Sequence, residues 1–325
     1  MELSEVGLAL DSGASPVAAA PVARGAIRLA YDAGIRFFDA ASAPDVAAAE
    51  WLLSTAFGRP EAAVRLGTRI DVVHPLGPRS NRPAGVEVET AARVLVGPPF
   101  ERGEVRAAID DHLRRIGRDS VDVLQLSGAN PGDLQEGSLP MHLDSARAED
   151  RIGCWGVFLP RGSEAAGLAA SAADSGAQVG NILFNLIERD EFERAQREGR
   201  HRLSWVVRDP HAAGRLDGAF LRQSSLAERP GIGSLPPSVS RWGREYQEVV
   251  RLGFLTEGRH RTLGQAALQY VLAFPDVASV TPRLSGGGSP EEWRGALAAA
   301  PLSETELARV GAELREPSGV HSRSK

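Results

Sequence analysis

Two titratable side chains stand at or just beyond the ends of predicted strands, where they would be placed to move protons. Asp39 ends the apolar run 35–39 and is followed by small residues and a proline, which is typical of a buried strand entering a loop. His211 lies shortly after a second such run, at 203–208. Carboxyl and imidazole groups are common general acids and bases, and burying a charge is costly unless it has a partner. The sequence therefore predicts a pocket around Asp39, and it leaves His211 either an acid–base role or a structural one.

Eight predicted strands alternate with helices, a pattern typical of a parallel sheet or a closed barrel. The strands are predicted at 6–11, 35–39, 64–70, 121–126, 152–158, 178–185, 203–208 and 277–280. No predicted strand leads into a G-x-G-x-x-G turn, which disfavours a dinucleotide-binding doubly wound fold. We therefore predict an α/β fold, a (β/α)8 TIM barrel that forms one domain over residues 1–325, with frayed ends at 1–5 and 316–325.

Two long segments rich in glycine and proline interrupt this alternation, His74–Phe100 and Asp209–Pro237. Long segments without a clear pattern inside a domain often cover a functional site. Because chemistry in a barrel lies at the C-terminal ends of the strands, we expect both segments to lie over that face.

The composition narrows the class of protein. A net charge of −5 gives no basic field, so a nucleic-acid partner is not expected. The single cysteine, Cys154, allows no internal disulfide and no cysteine cluster for a metal. No apolar run is long enough to span a bilayer, and the first residues lack the pattern of a signal peptide. We expect a soluble cytoplasmic protein of bacterial composition that binds a small molecule, and the oligomeric state stays open.

Several segments, in order along most of the chain, resemble the aldo-keto reductase family. Residues 31–41 are similar to its "A-x-x-x-G-I-x-x-F-D-T-A" segment, and residues 112–126 to its "S-L-x-R-L-G … D-L-x-x-x-H" segment. Shorter similarities follow at 155–157, 182–186, 208–216, 265–272 and 280–282. The resemblance implies a TIM barrel and, for typical members, reduction of a carbonyl by a nicotinamide cofactor.

The resemblance also implies a catalytic tetrad of Asp, Tyr, Lys and His. Asp39 falls on the aspartate, but Pro44 stands at the tyrosine position, Arg69 at the lysine position and Ser127 at the histidine position. Proline has no proton to give, and arginine does not titrate near neutrality. The polar groups left for chemistry are therefore Asp39, Arg69 and His211. Asp39 and Arg69 either form a buried ion pair without a chemical role or bind and polarise a new substrate.

The cofactor positions implied by the resemblance have changed as well. The Ser-Asn pair that holds the nicotinamide amide aligns with Phe158 and Leu159, and the glutamine aligns with Asn181. An aromatic residue that often stacks on the nicotinamide aligns with Arg208. Unpaired polar groups cost about 1–3 kcal/mol each, so we predict no nicotinamide cofactor and no metal.

If NADPH does bind, Asn181 and the cations Arg283 and Arg294 are the expected contacts. The "E-N" pair that reads the adenine aligns with Gly295 and Ala296. For a small-molecule substrate we expect contacts at the barrel mouth from Ser127, Asn130, Trp155, Phe158, Asn185 and Arg208.

Three hypotheses about function follow. The first is non-redox chemistry of the lyase, cyclase or isomerase type on a small molecule, for example in bacterial secondary metabolism. The second is an NADPH-dependent reductase with an atypical proton donor. The third is a catalytically inactive relative that binds a ligand or partner.

Overall fold

Parallel strands form the centre of the computed structural model, which describes residues 3–10, 16–57, 63–74, 94–199, 202–217, 247–258, 261–284 and 289–314. In chain order the strands are β1 (Leu8–Ala9), β2 (Phe37–Asp39), β3 (Arg65–Val73), β4 (Leu95–Val96), β5 (Val121–Ser127), β6 (Ile152–Phe158), β7 (Val179–Leu183), β8 (Ser204–Arg208) and β9 (Val277–Thr281).

The sheet closes into a barrel of eight strands in the order β1-β2-β3-β5-β6-β7-β8-β9, while β4 pairs only with β3. Every pairing is parallel. Bridges from Val6 to Val280 and from Ala9 to Arg283 join the first strand to the last. The predicted fold class, a (β/α)8 barrel, is therefore confirmed.

The helices surround the barrel and connect its strands. Those that lie wholly in described residues are α1 (Pro16–Asp32), α2 (Val46–Phe57), α3 (Arg102–Ile116), α4 (Pro131–Gln135), α5 (Ser138–Ala148), α6 (Glu164–Asp174), α7 (Asp190–Glu198), α8 (Leu263–Leu272), α9 (Pro290–Ala298) and α10 (Glu304–Glu313), with a 3-10 helix at Leu252–Leu255. Ser303 and Glu306 form a capping box at the start of α10. Asp45 caps α2, because its carboxylate accepts from the Ala48 amide at 3.0 Å. Within the described residues, no helix is both long and apolar enough to cross a bilayer.

Side chains on each strand alternate between the helices and the barrel lumen, and this alternation sorts the core. Phe38 points outward and packs edge-on against Phe57 of α2, with ring centroids 4.9 Å apart. Its neighbours Phe37 and Asp39 therefore face the lumen. Phe37 joins a small buried cluster there with Val123, Cys154, Val179 and Val206. Burial raises the pKa of the Cys154 thiol to about 12, as expected for a core cysteine.

A buried ionic cluster lies on the outer side of β3. Glu50 of α2, Thr68 of β3 and His112 of α3 are all 0% exposed. Glu50 Oε1 lies 2.5 Å from Nδ1 of His112 and accepts the Thr68 hydroxyl, and Glu50 Oε2 lies 2.6 Å from Nε of Arg115. Because each carboxylate oxygen has a polar partner, the cluster joins α2 and α3 to the barrel wall.

The structure departs from the sequence prediction at two short elements. Strand β4 lies inside the predicted cover segment His74–Phe100, and α4 is a short helix after β5 that was not predicted. Both are too short to show periodicity, and α4 is instead fixed by the Asn130–Asp133 capping box. Most of the two predicted cover segments, at 75–93 and 218–237, and the glycine run 286–288 lie outside the described residues.

Candidate functional site

The Asp39 carboxylate is held by three N–H donors in the barrel lumen. The Ala41 amide donates to Oδ1 at 3.0 Å, and so does the side-chain amide of Gln125, at 3.1 Å. The Asn181 side-chain amide donates to Oδ2 at 3.1 Å. Asp39 is 0% exposed, so these donors take the place of water around its carboxylate. A carboxylate enclosed in this way organises the groups above it and does not itself meet solvent.

Gly67 makes room for the Asp39 side chain. It is the register partner of Asp39 on β3, and a Cβ at this position would lie 2.6 Å from Oδ1 of Asp39 and 3.1 Å from the Phe37 ring. No real Cβ approaches an oxygen that closely. The lumen-facing position next to Asp39 therefore requires glycine.

Burial dominates the electrostatics of Asp39 and raises its pKa above the ordinary value. The hydrogen bonds and the positive charge of Arg69 oppose this shift without cancelling it. Gln125 Oε1 is also buried and has no hydrogen-bond partner among the described residues.

Arg208 fixes the orientation of Asn181. Its Nη1 donates to the backbone oxygen of Asn181 at 2.8 Å and to Oδ1 at 3.0 Å, which leaves the Asn181 Nδ2 group to face Asp39. Its Nη2 donates to the Leu159 oxygen at 2.6 Å, and the guanidinium lies 4.2 Å from the centroid of the Phe158 ring. Burial, reinforced by the charge of Arg161, lowers the pKa of Arg208 to about 10.

Arg69 reaches the same aromatic ring from β3. Within the described part of the chain it pairs with Asp71, at 2.9 Å from Nε to Oδ1, and not with Asp39. It also donates to the Ala41 oxygen, and its guanidinium lies 5.3 Å from the Phe158 centroid. The Asp71 side chain is 40% exposed, whereas that of Arg69 is 13% exposed. We call Arg69, Asp71, Phe158 and Arg208 the mouth cluster.

A second group of charges, which we call the rim cluster, follows the strands β6 to β9. Its members are Arg161, Glu188, Asp209, Arg215 and Arg283. Asp209 has a positive φ and is nearly buried, and its Oδ2 lies 3.2 Å from Nη2 of Arg283. Glu188 pairs with both Arg161 and Arg215 at 3.3 Å. The predicted phosphate contact Arg283 is thus already paired with a carboxylate of the same chain.

Other predicted site residues lie apart from the mouth cluster. The Trp155 indole points outward and donates to Asp144 at 3.0 Å. His211 is buried with Nε2 at 3.3 Å from the Gly264 oxygen, and burial lowers its pKa. Asn130 caps α4 and Arg294 is exposed on α9.

Two predicted residues lie next to the clusters: Asn185 contacts the rim cluster, and Ser127 lies beside the mouth cluster. Asn185 donates to Glu188 at 2.9 Å and to the Asp209 oxygen at 3.2 Å, so it supports the rim cluster. Ser127 is half-buried at the end of β5, where its register partner is Asp71. Of the predicted residues, the structure therefore brings together Asp39, Arg69, Phe158, Asn181 and Arg208, with Ser127 beside them.

Sequence reasoning missed Gln125, Asp71 and Asp209. Alternation along a strand gives a signal for the first two, because Gln125 shares a face with Val123 and Asp71 shares a face with Arg69. Asp209 carries no such signal, since its position depends on a loop with left-handed backbone at Asp209, Ala212 and Ala213.

Comparisons with known proteins agree with this architecture. The model of the family described as "Aldo/keto reductase family" matches residues 9–313. The holo form of aldo-keto reductase AKR11C1 from Bacillus halodurans has a TM-score of 0.69 at 20% identity, over 99% of this chain and 95% of that one. An aldo-keto reductase from Klebsiella pneumoniae in complex with NADPH gives 0.61 at 20% identity, over 98% and 93%. The glycerol dehydrogenase AKR11B4 from Gluconobacter oxydans gives 0.66 at 17% identity, over 96% and 91%. No curated protein matches the chain at a significant level.

Proposed function

The chain belongs to the aldo/keto reductase family, and from that premise we propose that it binds and transforms a small molecule by non-redox chemistry, without a nicotinamide cofactor. The observation that carries the proposal is the arrangement of Phe158, Leu159 and Arg208. These residues stand where the family resemblance leads one to expect the polar groups and the aromatic ring that hold a nicotinamide.

The described residues do not fit a nicotinamide amide. Leu159 is fully buried and offers an apolar side chain, and its backbone oxygen already accepts from Arg208. Asn181 faces Asp39 with its nitrogen and Arg208 with its oxygen, so both ends of its amide already have a partner in the protein. Each unpaired polar group of a bound amide would cost about 1–3 kcal/mol. Weak binding or none is the expected result.

The rim cluster is a poor match for a dinucleotide phosphate. Asp209 places a nearly buried carboxylate beside Arg283, at 3.2 Å. A phosphate at Arg283 would displace that carboxylate or lie next to a like charge, and either change is unfavourable. Arg283 therefore supports the loop after β8 in place of a cofactor.

The groups that a ligand at the mouth can reach favour proton-transfer chemistry. Arg69 supplies N–H donors that would stabilise negative charge developing on a substrate oxygen. Asp71, paired with it and partly solvated, supplies an acceptor for a proton from the substrate. Asp39 acts from below through Asn181 and Gln125 as a positioning residue. Lyase, cyclase and isomerase reactions all use this combination of groups.

Titration with NADPH tests the proposal directly, with the quenching of tryptophan fluorescence as the readout. We expect no saturable quenching at micromolar NADPH and no oxidation of NADPH with a generic aldehyde. Quenching at micromolar NADPH together with aldehyde turnover would replace this proposal with a reductase that uses an atypical proton donor. Binding without turnover would favour an inactive relative.

A further inference from the structure

Arginine side chains are concentrated at the mouth of the barrel, although the chain as a whole has a negative net charge. The whole chain carries −5. In the mouth cluster, the two cations Arg69 and Arg208 face one exposed acid, Asp71. In the rim cluster, three arginines face two acids, Glu188 and Asp209. Each cluster, as defined by these residues, thus holds one more arginine than acid, and the charges of Asp39 and Glu191 also act on Arg208.

The acid beneath the mouth cluster is Asp39, whose charge also acts on Arg208. Asp39 is enclosed, and burial raises its pKa, which favours its neutral form. The positive charge at the mouth is thus carried by partly buried guanidinium groups, where water screens it less than at an open surface.

Arg69 is the member of the mouth cluster with a donor to spare. Its Nε is used by Asp71 and its Nη1 by the Ala41 oxygen, while its Nη2 makes no hydrogen bond to a described residue. Arg208, by contrast, spends its two terminal nitrogens on Asn181 and Leu159. The Phe158 ring, 5.3 Å from the Arg69 guanidinium, adds an apolar surface beside that donor.

We propose that the molecule bound at the mouth is a small anion, either a carboxylate or a phosphate monoester, and that Arg69 is the residue that contacts its negative group. This inference rests on the proposed function, because it names the chemical class of the ligand for the same site. Guanidinium groups bind both kinds of anion through charge-assisted hydrogen bonds.

The effect of Asp71 on anion affinity separates a role in ligand binding from a purely structural role. It occupies one edge of the Arg69 guanidinium and therefore competes with an incoming anion. Replacing Asp71 by asparagine removes one negative charge, while the neutral amide oxygen can still accept weakly from Nε of Arg69. We expect Asp71→Asn to bind anions about threefold more tightly, and Arg69→Met to bind them at least about tenfold more weakly.

Isothermal titration calorimetry with three probes makes the test. Pyruvate and inorganic phosphate represent the two anion sources, and pyruvamide is the neutral counterpart of pyruvate. The variants are Arg69→Met, Arg69→Lys, Asp71→Asn and the control Arg102→Met, whose exposed side chain lies on α3 and pairs with Glu149. Circular dichroism checks that each variant is folded, and Arg69→Lys keeps the charge if Arg69→Met does not fold.

We expect pyruvate, phosphate or both to bind with a millimolar or lower Kd, with pyruvamide at least about tenfold weaker than pyruvate. Binding weakens from about 0.1 M to about 1 M NaCl, as the Debye length falls from about 10 Å to about 3 Å. Arg102→Met binds like the wild type, and Arg69→Lys retains part of the affinity. Preference for pyruvate assigns a carboxylate ligand, and preference for phosphate assigns a phosphate ester.

The inference is overturned if neither anion binds, if pyruvamide binds as well as pyruvate, or if Asp71→Asn weakens binding. Its failure is separable from failure of the proposed function. The protein could bind pyruvamide through Arg69 and still not bind NADPH. That result would support a small-molecule site without a cofactor and would refute only the requirement that the ligand be an anion. Micromolar NADPH binding with turnover would instead overturn the proposed function, whatever the anions do.

Discussion

Asn181 donates its side-chain amide to Oδ2 of Asp39 at 3.1 Å, while its own oxygen accepts from Arg208 at 3.0 Å. This relationship links a guanidinium at the barrel mouth to a buried acid below it through one amide. Because Arg208 fixes which end of the amide faces down, Asp39 receives a donor and not an acceptor. A change at any one of the three residues is therefore expected to affect the other two.

The first prediction concerns the pH dependence of Asp39. Its pKa is raised in the folded protein, so the folded state holds the proton more tightly than the unfolded state does. Stability is then lost as the pH rises from about 4, the ordinary value for aspartate, through the raised folded pKa. Asp39→Asn removes that loss. The free energy of unfolding of the variant should therefore rise relative to that of the wild type as the pH increases through this range. Urea unfolding at several pH values measures the difference.

The control for this prediction is Asp119→Asn, a change of an exposed carboxylate before β5. As a surface substitution it should change the free energy of unfolding by no more than about 0.5 kcal/mol. A constant difference between Asp39→Asn and the wild type, independent of pH, would contradict the assignment of a raised pKa.

Gly67→Ala should destabilise the barrel. The new Cβ would lie 2.6 Å from Oδ1 of Asp39 and 3.1 Å from the Phe37 ring, and both neighbours are fixed by close packing. Overpacking of this kind typically costs about 1–3 kcal/mol. The matched control is Gly167→Ala on α6, where nothing lies within 4 Å of the new atom, and which should stabilise by about 0.5–1 kcal/mol. Thermal unfolding of both variants tests this prediction. Equal shifts in the melting temperature of Gly67→Ala and Gly167→Ala would contradict it.

Glu50→Gln should destabilise the protein strongly. Glu50 is 0% exposed and contacts Thr68, His112 and Arg115. Breaking a buried pair by removing one partner costs about 3–5 kcal/mol, because the other charge stays buried. Glu149→Gln is the surface comparison, since Glu149 pairs with the exposed Arg102 and Arg106, and it should cost about 0–1 kcal/mol. Equal chemical-denaturation midpoints for the two variants would show that the Glu50 cluster contributes little.

His211→Gln should alter the acid side of the stability profile. Burial lowers the pKa of His211, so the folded state resists the proton that the unfolded chain takes up near pH 6.5. Wild-type stability is therefore lost as the pH falls through about 6.5, and the glutamine variant should lose less. The melting temperature at pH 5, 6, 7 and 8 measures this, with His142→Gln as the comparison. A wild type and variant with the same dependence on pH would contradict it.

The barrel could be predicted from sequence because each β/α unit has its own local signals. The sequence has Asp45 and the Ser303–Glu306 pair where α2 and α10 begin, and in the structure they cap those helices. Strand β4 is only two residues long and is fixed by its pairing with β3, so no sequence pattern could mark it. Helix α4 does carry a local signal, the Asn130–Asp133 capping box, but five residues are too few to show the periodicity of a helix.

The site was less predictable, because its contacts join distant parts of the chain. The placement of Asp39 at a strand end was visible locally, but the two side chains that donate to it, Gln125 and Asn181, stand 86 and 142 residues away. The sequence left Arg69 to pair with Asp39 or to serve a ligand, and the structure pairs it with Asp71. Residues two apart on a strand share a face, so that pairing had a local cause which the family resemblance obscured.

The alternation along β3 has a consequence for how this barrel can be changed. Thr68 faces outward into the ionic cluster with Glu50 and His112, while Arg69 and Asp71 face the mouth. Alternate residues of one strand thus serve different purposes: Thr68 packs in the stabilising ionic cluster, and Arg69 and Asp71 face the ligand site. A combinatorial library at positions 69 and 71 can therefore explore new chemistries while the scaffold stays intact, and the same separation would let natural variation replace an ancestral site without unfolding the protein around it.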